Sequence, residues 1–109
     1  MIITKKEPFT KEEIKKLKEQ FDVYIKTVID IEKKLCSAGC DRHFESEKIL
    51  LDGGSKQSNL WGGGLDLETG EIDYNSMINL RPSQDNPSRD ILSKDVREKF
   101  DSVVTKILK

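Results

Sequence analysis

The fold of this chain is decided largely by residues 76–89, SMINLRPSQDNPSR. This stretch begins with the alternation of a strand and ends as a polar loop. Two arginines, two asparagines and a glutamine fall within its last eleven residues. Such side chains are costly to bury without hydrogen-bond partners, so the packing of an apolar core explains few of them. We therefore predict that this strand-to-loop junction is the functional face of the protein.

The composition indicates one domain, residues 1–109, with a small core under a charged surface. Hydrophobic residues make up 35% of the chain and charged residues 36%. A chain of this length buries roughly two thirds of its unfolded surface, so it needs neither metal nor disulfides to fold. The 19 basic and 20 acidic residues leave a net charge of −1. No general nucleic-acid binding is predicted, because that requires a basic excess.

The N-terminal residues 1–8 have neither the apolar region nor the cleavage site of a signal peptide. No apolar run approaches the roughly 20 residues that cross a bilayer. We therefore expect a cytoplasmic protein without membrane contact, in which Cys36 and Cys40 are reduced thiols.

The clearest local signal predicts a helix after Thr10. Thr10 and Glu13 have the spacing of a capping box, in which each side chain satisfies a free backbone donor of the other residue. Ile14, Leu17 and Phe21 then form one narrow apolar stripe on a helix rich in lysine and glutamate. Two interpretations of its basic surface remain, a solvated helix face and a partner-binding face.

Residues 23–36 are ambiguous, because periods of 2 and of 3.6 both collect apolar side chains on one face. The β-branched run 27–31 favours a strand over a helix. We predict one long strand, followed by a turn at residues 37–39 and a second strand over residues 40–44.

Residues 60–67 and 71–81 predict a β-hairpin around the turn Glu68-Thr69-Gly70. The alternation of its second arm points Ile72, Tyr74, Ile78 and Leu80 into the core, and Asn75, Met77, Asn79 and Arg81 away from it. Glycines 62–64 lie in the first arm, and glycine inside a strand marks a bulge or a close backbone approach. If that approach is by another chain, the protein is a structural subunit of a homo-oligomer.

Two more helices complete the predicted fold. Ser46 is expected to cap a short helix that ends at Gly53-Gly54, and Ser93 a longer one. The longer helix has the wider apolar stripe and is predicted to be the core helix, with Val96, Phe100, Val103, Val104 and Ile107 on one face. The fold class is α+β, a two-layer domain in which an antiparallel sheet of about four strands packs against two main helices.

The predicted site binds an anionic group. A planar guanidinium suits a carboxylate or phosphate, and amide side chains orient a ligand in a specific pocket. The predicted ligand-binding residues are Gln57, Asn79, Arg81, Gln84, Asn86 and Arg89. Alternatively, Arg81 pairs with Asp30 or Glu32, and the amides tie down a loop whose prolines cannot donate hydrogen bonds. The leading function is a small binding or interaction protein for an anionic ligand or a partner protein.

A second possible function is a small hydrolase acting on a phosphoester or RNA. His43, the single histidine, would be its acid/base and Arg81 would stabilise negative charge. A structural histidine is the alternative, so whether the protein is an enzyme stays open. Cys36, Cys40 and His43 are also zinc-type ligands, but their spacing is unlike the usual pairs, and we expect no metal or other cofactor. Trp61 is either a stacking platform or a core anchor.

Two motifs resemble a known family. They are Gly-Ser-x-Gln-x-x-Leu-Trp-Gly at residues 54–62 and Ile-Asn-x-Arg-Pro-x-Gln-x-Asn-x-Ser-Arg at residues 78–89. The chain resembles a family of small prokaryotic proteins of about this size, classed as a domain of unknown function. The resemblance covers nearly the whole chain and includes His43, whereas Cys36 and Cys40 lie outside the shared pattern. It implies no particular activity.

Overall fold

The structure, a computed structural model, describes the whole chain, residues 1–109. It contains five strands and three α-helices: β1 (Ile3–Lys5), α1 (Lys11–Phe21), β2 (Tyr24–Asp30), β3 (Leu35–Ala38), α2 (His43–Asp52), β4 (Leu60–Asp66), β5 (Ile72–Asp73) and α3 (Lys94–Ile107). Short 3-10 turns occupy Gln57–Asn59, Met77–Asn79 and Pro82–Gln84. The predicted α+β class is confirmed, with five strands instead of about four.

The strands form one antiparallel sheet in the order β1-β3-β2-β4-β5. β2 is central and pairs with β4 over its full length, from Tyr24 opposite Asp66 to Asp30 opposite Leu60. The predicted hairpin forms between β4 and β5, and Gly70 in its turn has a φ of 79°. A residue with a side chain would be strained there, so glycine is required at this position.

The main core lies between one face of the sheet and helices α1 and α3. Leu17 of α1 and Phe100 and Val104 of α3 are fully buried against Ile25 and Ile29 of β2. This confirms that α3 is the core helix. α1 begins with the predicted capping box, in which Thr10 and Glu13 each accept a hydrogen bond from the other's backbone nitrogen. No helix has the length and apolar character needed to span a membrane.

The opposite face of the sheet is partly covered by α2, so helices lie on both sides of the sheet rather than on one. Leu50 packs there against Val28 and Leu60.

α2 begins at His43 rather than at Ser46, and the predicted strand over residues 40–44 is wrong. Glu45 explains the earlier start, because its carboxylate accepts a hydrogen bond from the Arg42 backbone nitrogen, 2.8 Å away.

The long strand predicted over residues 23–36 is two strands joined by a turn. The fully buried Asp30 carboxylate accepts hydrogen bonds from the backbone nitrogens of Glu32 and Lys33, each at 2.9 Å, and so closes the turn. Lys34 completes it with a φ of 57°. An aspartate that bonds to the backbone two residues ahead is a turn signal, and here it overrides the β-branched run.

The second arm of the hairpin stops early. Regular pairing ends at Asp73, and residues 77–79 form a 3-10 turn, so the alternation predicted for residues 71–81 fails. As a result Leu80 is exposed, whereas Asn79 and Arg81 are buried. The burial of these three residues is the reverse of the predicted one, and it decides which polar residues of 76–89 are accessible to a ligand.

Candidate functional site

The Asn79 side chain ties residues 76–89 to strand β4. Asn79 is fully buried, and its carboxamide oxygen accepts a hydrogen bond from the Gly62 nitrogen, 2.8 Å away. Its Nδ2 lies 2.8 Å from the carbonyl oxygens of Gly62 and Tyr74 and 3.0 Å from that of Arg89. Every polar atom of this side chain is committed to the backbone.

Asn86 holds the other end of the same loop. It is 2% exposed, and its Nδ2 lies within 3.0 Å of the carbonyl oxygens of Asn79, Ser88 and Asp90. Its carboxamide oxygen accepts from the Leu92 nitrogen at 3.0 Å. Asn79 and Asn86 therefore supply the hydrogen bonds that a loop with two prolines lacks.

Arg81 is also buried, with 5% of its surface exposed. Its Nε donates to the Ile78 carbonyl at 2.8 Å, its Nη2 donates to the Leu60 carbonyl, and Nη1 is left without a partner. The guanidinium stacks over the Trp61 ring, 4.4 Å from its centroid. The predicted pair with Asp30 or Glu32 is absent, because the Asp30 carboxylate is taken up by its own turn and by Ser55. Burial lowers the pKa of Arg81.

Three of the predicted ligand-binding residues are thus buried and bonded within the protein. Asn79, Arg81 and Asn86 are buried, and they bond to backbone groups of the loop and of β4. They therefore hold the loop in its conformation from inside. Gln57, Gln84 and Arg89 are exposed. Gln57 and Gln84 lie elsewhere on the surface, near Glu47 and Ser58.

Arg89 instead lines a cleft that also contains His43. The cleft has a volume of about 370 Å³ and lies between β2, the start of α2, β5 and residues 75–77. Its eight lining residues are Tyr24, Lys26, His43, Asp73, Asn75, Ser76, Met77 and Arg89. We call it the His43 cleft. It brings together two predicted residues, His43 and Arg89, that are far apart in sequence.

Two lining residues of the His43 cleft, Tyr24 and Ser76, lie directly against the glycine run of β4. A Cβ atom at Gly62 would lie 2.7 Å from the Ser76 side chain, and one at Gly64 would overlap the Tyr24 ring. The predicted close approach at these glycines is therefore made by residues of the same chain. Because these glycines have no side chains, Tyr24, His43 and Ser76 can lie directly against the backbone of β4.

Tyr24 and Asp73 form a hydrogen-bonded pair in the cleft. The Tyr24 hydroxyl donates to Asp73 Oδ2 at 2.5 Å, and the Asn75 backbone nitrogen donates to Asp73 Oδ1 at 3.1 Å. Desolvation and the Asp73 carboxylate raise the pKa of Tyr24, so its hydroxyl keeps its proton. Both oxygens of Asp73 are thus engaged by the protein.

His43 is held by the backbone of β4. Its Nε2 lies 2.7 Å from the Gly63 carbonyl oxygen, which can only accept, so Nε2 carries the proton. Burial lowers the pKa of His43, and Lys26 lowers it further, while the Gly63 hydrogen bond and Asp73 act in the opposite direction. The imidazole is therefore neutral at pH 7, with Nδ1 as a hydrogen-bond or proton acceptor.

We expect the stability of the protein to fall as the pH drops below about 6.5, the ordinary histidine pKa that applies to the unfolded chain. Between pH 6.5 and the lowered pKa of folded His43, the unfolded chain binds a proton at His43 and the folded chain does not. Urea unfolding at pH 7.5, 6.5 and 5.5 measures this. The free-energy difference between wild type and His43→Gln should shrink as the pH falls. A difference that does not change with pH would contradict the assignment.

Two cations face the His43 cleft without a carboxylate partner. Lys26 Nζ donates to the Asp41 carbonyl at 2.8 Å, and the exposed Arg89 guanidinium makes no hydrogen bond within the protein. Neither belongs to one of the chain's three ion pairs. With Asp73 counted, the cleft carries an excess of one positive charge.

The cysteines and Trp61 take structural positions. Burial raises the pKa of Cys36 to about 12 and also raises that of Cys40, which favours the protonated thiol at both positions. No cluster of three or more His, Cys, Asp or Glu side chains is placed to hold a metal ion. Trp61 is 5% exposed and belongs to the main core.

Sequence reasoning missed six lining residues of the His43 cleft: Tyr24, Lys26, Asp73, Asn75, Ser76 and Met77. Their grouping depends on the pairing of β4 with β2 and β5, which is set by contacts distant in sequence. One local signal was available in the glycine run 62–64. It marks where side chains from other elements approach the sheet.

The comparisons with known proteins give the family alone. The profile of the family described as Protein of unknown function (DUF5674) matches residues 1–107. The chain belongs to this family, which confirms the predicted resemblance. No curated protein and no solved structure matches the chain.

Proposed function

We propose that this member of the family is a small binding protein that holds an anionic group in the His43 cleft. One observation carries the proposal, the pair of cations without carboxylate partners, Lys26 and Arg89, facing one concave surface. Cations that share a cleft, with an excess of positive charge, attract an anion more strongly than isolated surface charges do. The predicted Arg/Asn/Gln site is thereby relocated from the buried loop to the cleft, with Arg89 retained.

Arg89 is the main contact for the anion in this proposal. Its guanidinium offers two parallel N–H donors, which match the oxygens of a carboxylate or phosphate. Neutral His43 complements it with an acceptor at Nδ1, which suits a ligand that carries a hydroxyl or a protonated phosphate oxygen. Asp73 limits the total charge, so the cleft favours a single compact anionic group over a polyanion.

The test is a titration of the protein with inorganic phosphate, followed by NMR signals of the His43 imidazole and the Arg89 side chain. Saturable shifts of both signals are expected. Arg89→Gln should weaken binding about tenfold, because it removes a charge-assisted hydrogen bond. Lys94→Gln, an exposed lysine at the start of α3 outside the cleft, is the matched control and should leave binding unchanged. Equal weakening by both variants, or shifts that never saturate, would refute the proposal.

A second candidate function, phosphoester hydrolysis, is favoured by the neutral His43 with its free Nδ1 in the same cleft as Arg89. His43 would accept a proton from an attacking water, and Arg89, rather than the buried Arg81, would stabilise the developing negative charge. Hydrolysis of p-nitrophenyl phosphate tests it. Release of nitrophenolate that disappears in both His43→Gln and Arg89→Gln supports an enzyme. Phosphate binding without any turnover excludes this candidate and leaves the binding function intact.

A further inference from the structure

We propose that the groove between α1 and the β4–β5 turn binds an amphipathic anion, a small molecule with an apolar body and one carboxylate. The groove has a volume of about 500 Å³, within the range of ligand sites in proteins. It shares no lining residue with the His43 cleft. The two sites are therefore independent, and either can fail without the other.

The floor of this groove is apolar. Phe9, Leu65, Ile107 and Leu108 are buried residues of the main core that reach the groove. The partly buried Ile14 and Leu67 extend this surface. The apolar body of a ligand would displace water mainly from the partly exposed Ile14 and Leu67, and this contribution grows with the apolar area buried.

The rim of the groove is cationic. Four lysines line it, Lys11, Lys15, Lys18 and Lys109. None of them belongs to an ion pair. The single acidic side chain in the lining is Asp66, whose Oδ1 already accepts hydrogen bonds from the backbone nitrogens of Glu68 and Thr69. Positive charge is thus concentrated here in a chain whose net charge is −1.

The spacing on α1 strengthens the argument. Lys11, Lys15 and Lys18 stand at i, i+4 and i+7, on one face of the helix and spread over about 10 Å of its axis. Like charges at this spacing weaken a helix. None of the three lysines forms an ion pair, although Glu12 and Glu19 are on the same helix, so their charged ends remain available to a ligand. Ile14 lies among them, so one face of α1 offers both the apolar contact and the charge.

The experiment compares octanoate, 1-octanol and octyltrimethylammonium, which share one apolar chain and differ in charge. Binding to the intact protein is followed by backbone amide NMR shifts. Octanoate is expected to bind about tenfold more tightly than octanol, equivalent to one favourable charge contact, and octyltrimethylammonium more weakly than either. The shifted amides should belong to α1, the β4–β5 turn and the end of α3.

The matched variants are Lys15→Glu and Lys16→Glu. Both reverse one charge on the exposed surface of α1, but only Lys15 lines the groove. Lys15→Glu should weaken octanoate binding about tenfold, and Lys16→Glu about twofold or less. The proposal is overturned by equal affinity for octanoate and octanol, by equal effects of the two variants, or by the absence of binding. Arg89→Gln should leave the octanoate-induced shifts of the α1 amides unchanged, which separates this site from the His43 cleft.

Discussion

Asn79→Ala is expected to lower the free energy of unfolding by about 4 kcal/mol, because it strands several buried backbone groups at once. The Gly62 nitrogen loses its acceptor, and the carbonyl oxygens of Gly62 and Tyr74 lose the Asn79 donor. The Arg89 carbonyl loses one of two donors and keeps its bond from the Ser76 nitrogen. Each buried polar group without a partner costs on the order of 1–3 kcal/mol. Urea unfolding followed by circular dichroism measures the loss.

The control for this prediction is Asn59→Ala, an asparagine whose side chain makes no hydrogen bond and is only partly buried. It should change the free energy of unfolding by about 0.5 kcal/mol or less. If Asn79→Ala proves too unstable to titrate, Asn79→Asp tests the same point, because it keeps the shape but turns an oxygen toward three carbonyls. A loss below about 1 kcal/mol for Asn79→Ala would mean that the loop is held by other contacts.

Gly63→Ala is expected to cost about 3 kcal/mol or more, because the added methyl group has no free space. Its Cβ would lie 2.8 Å from Phe100 Cζ and still closer to the Asp73 carbonyl oxygen. Neither neighbour can withdraw freely. Phe100 is fully buried in the main core, and Asp73 is paired to β4 through Gly64. Relief requires separating β5 from β4, which also opens the His43 cleft.

The matched substitution is Gly53→Ala at the end of α2. There the nearest atoms to a new Cβ are 3.5 Å away and the φ is −84°, a conformation that alanine adopts freely. The protein should be as stable as wild type or up to about 1 kcal/mol more stable, since alanine restricts the unfolded chain. Equal losses for Gly63→Ala and Gly53→Ala would mean that close packing at β4 is not the cause.

Burial separates the residues that stabilise the loop from those of the proposed anion site. Asn79, Arg81 and Asn86 hold the polar loop from inside, so their removal should unfold the protein before it alters any ligand affinity. Lys26 and Arg89 make no ion pair in the folded chain. Their replacement should therefore alter ligand affinity with little loss of stability.

Local chemistry predicted the elements whose determinants lie close together in sequence. The capping box at Thr10, the apolar stripe of α3 and the glycine-containing turn between β4 and β5 all formed as expected. Each depends on residues within a few positions of one another. Prediction failed at Asp30 and at Glu45. The Asp30 carboxylate accepts a hydrogen bond from the Glu32 nitrogen and ends strand β2 earlier than periodicity indicated. The Glu45 carboxylate accepts one from the Arg42 nitrogen, and α2 begins earlier than predicted.

By itself, the sequence determined the α+β class, helices α1 and α3 with their caps, and the polar character of residues 76–89. Only the tertiary structure decided which polar groups of that stretch face inward. The reason is physical, since the 3-10 turn at Met77–Asn79 breaks the alternation of the strand and rotates Asn79 and Arg81 into contact with β4. The grouping of His43 with Arg89 likewise depends on strand pairings between distant residues, and no local pattern encodes such contacts.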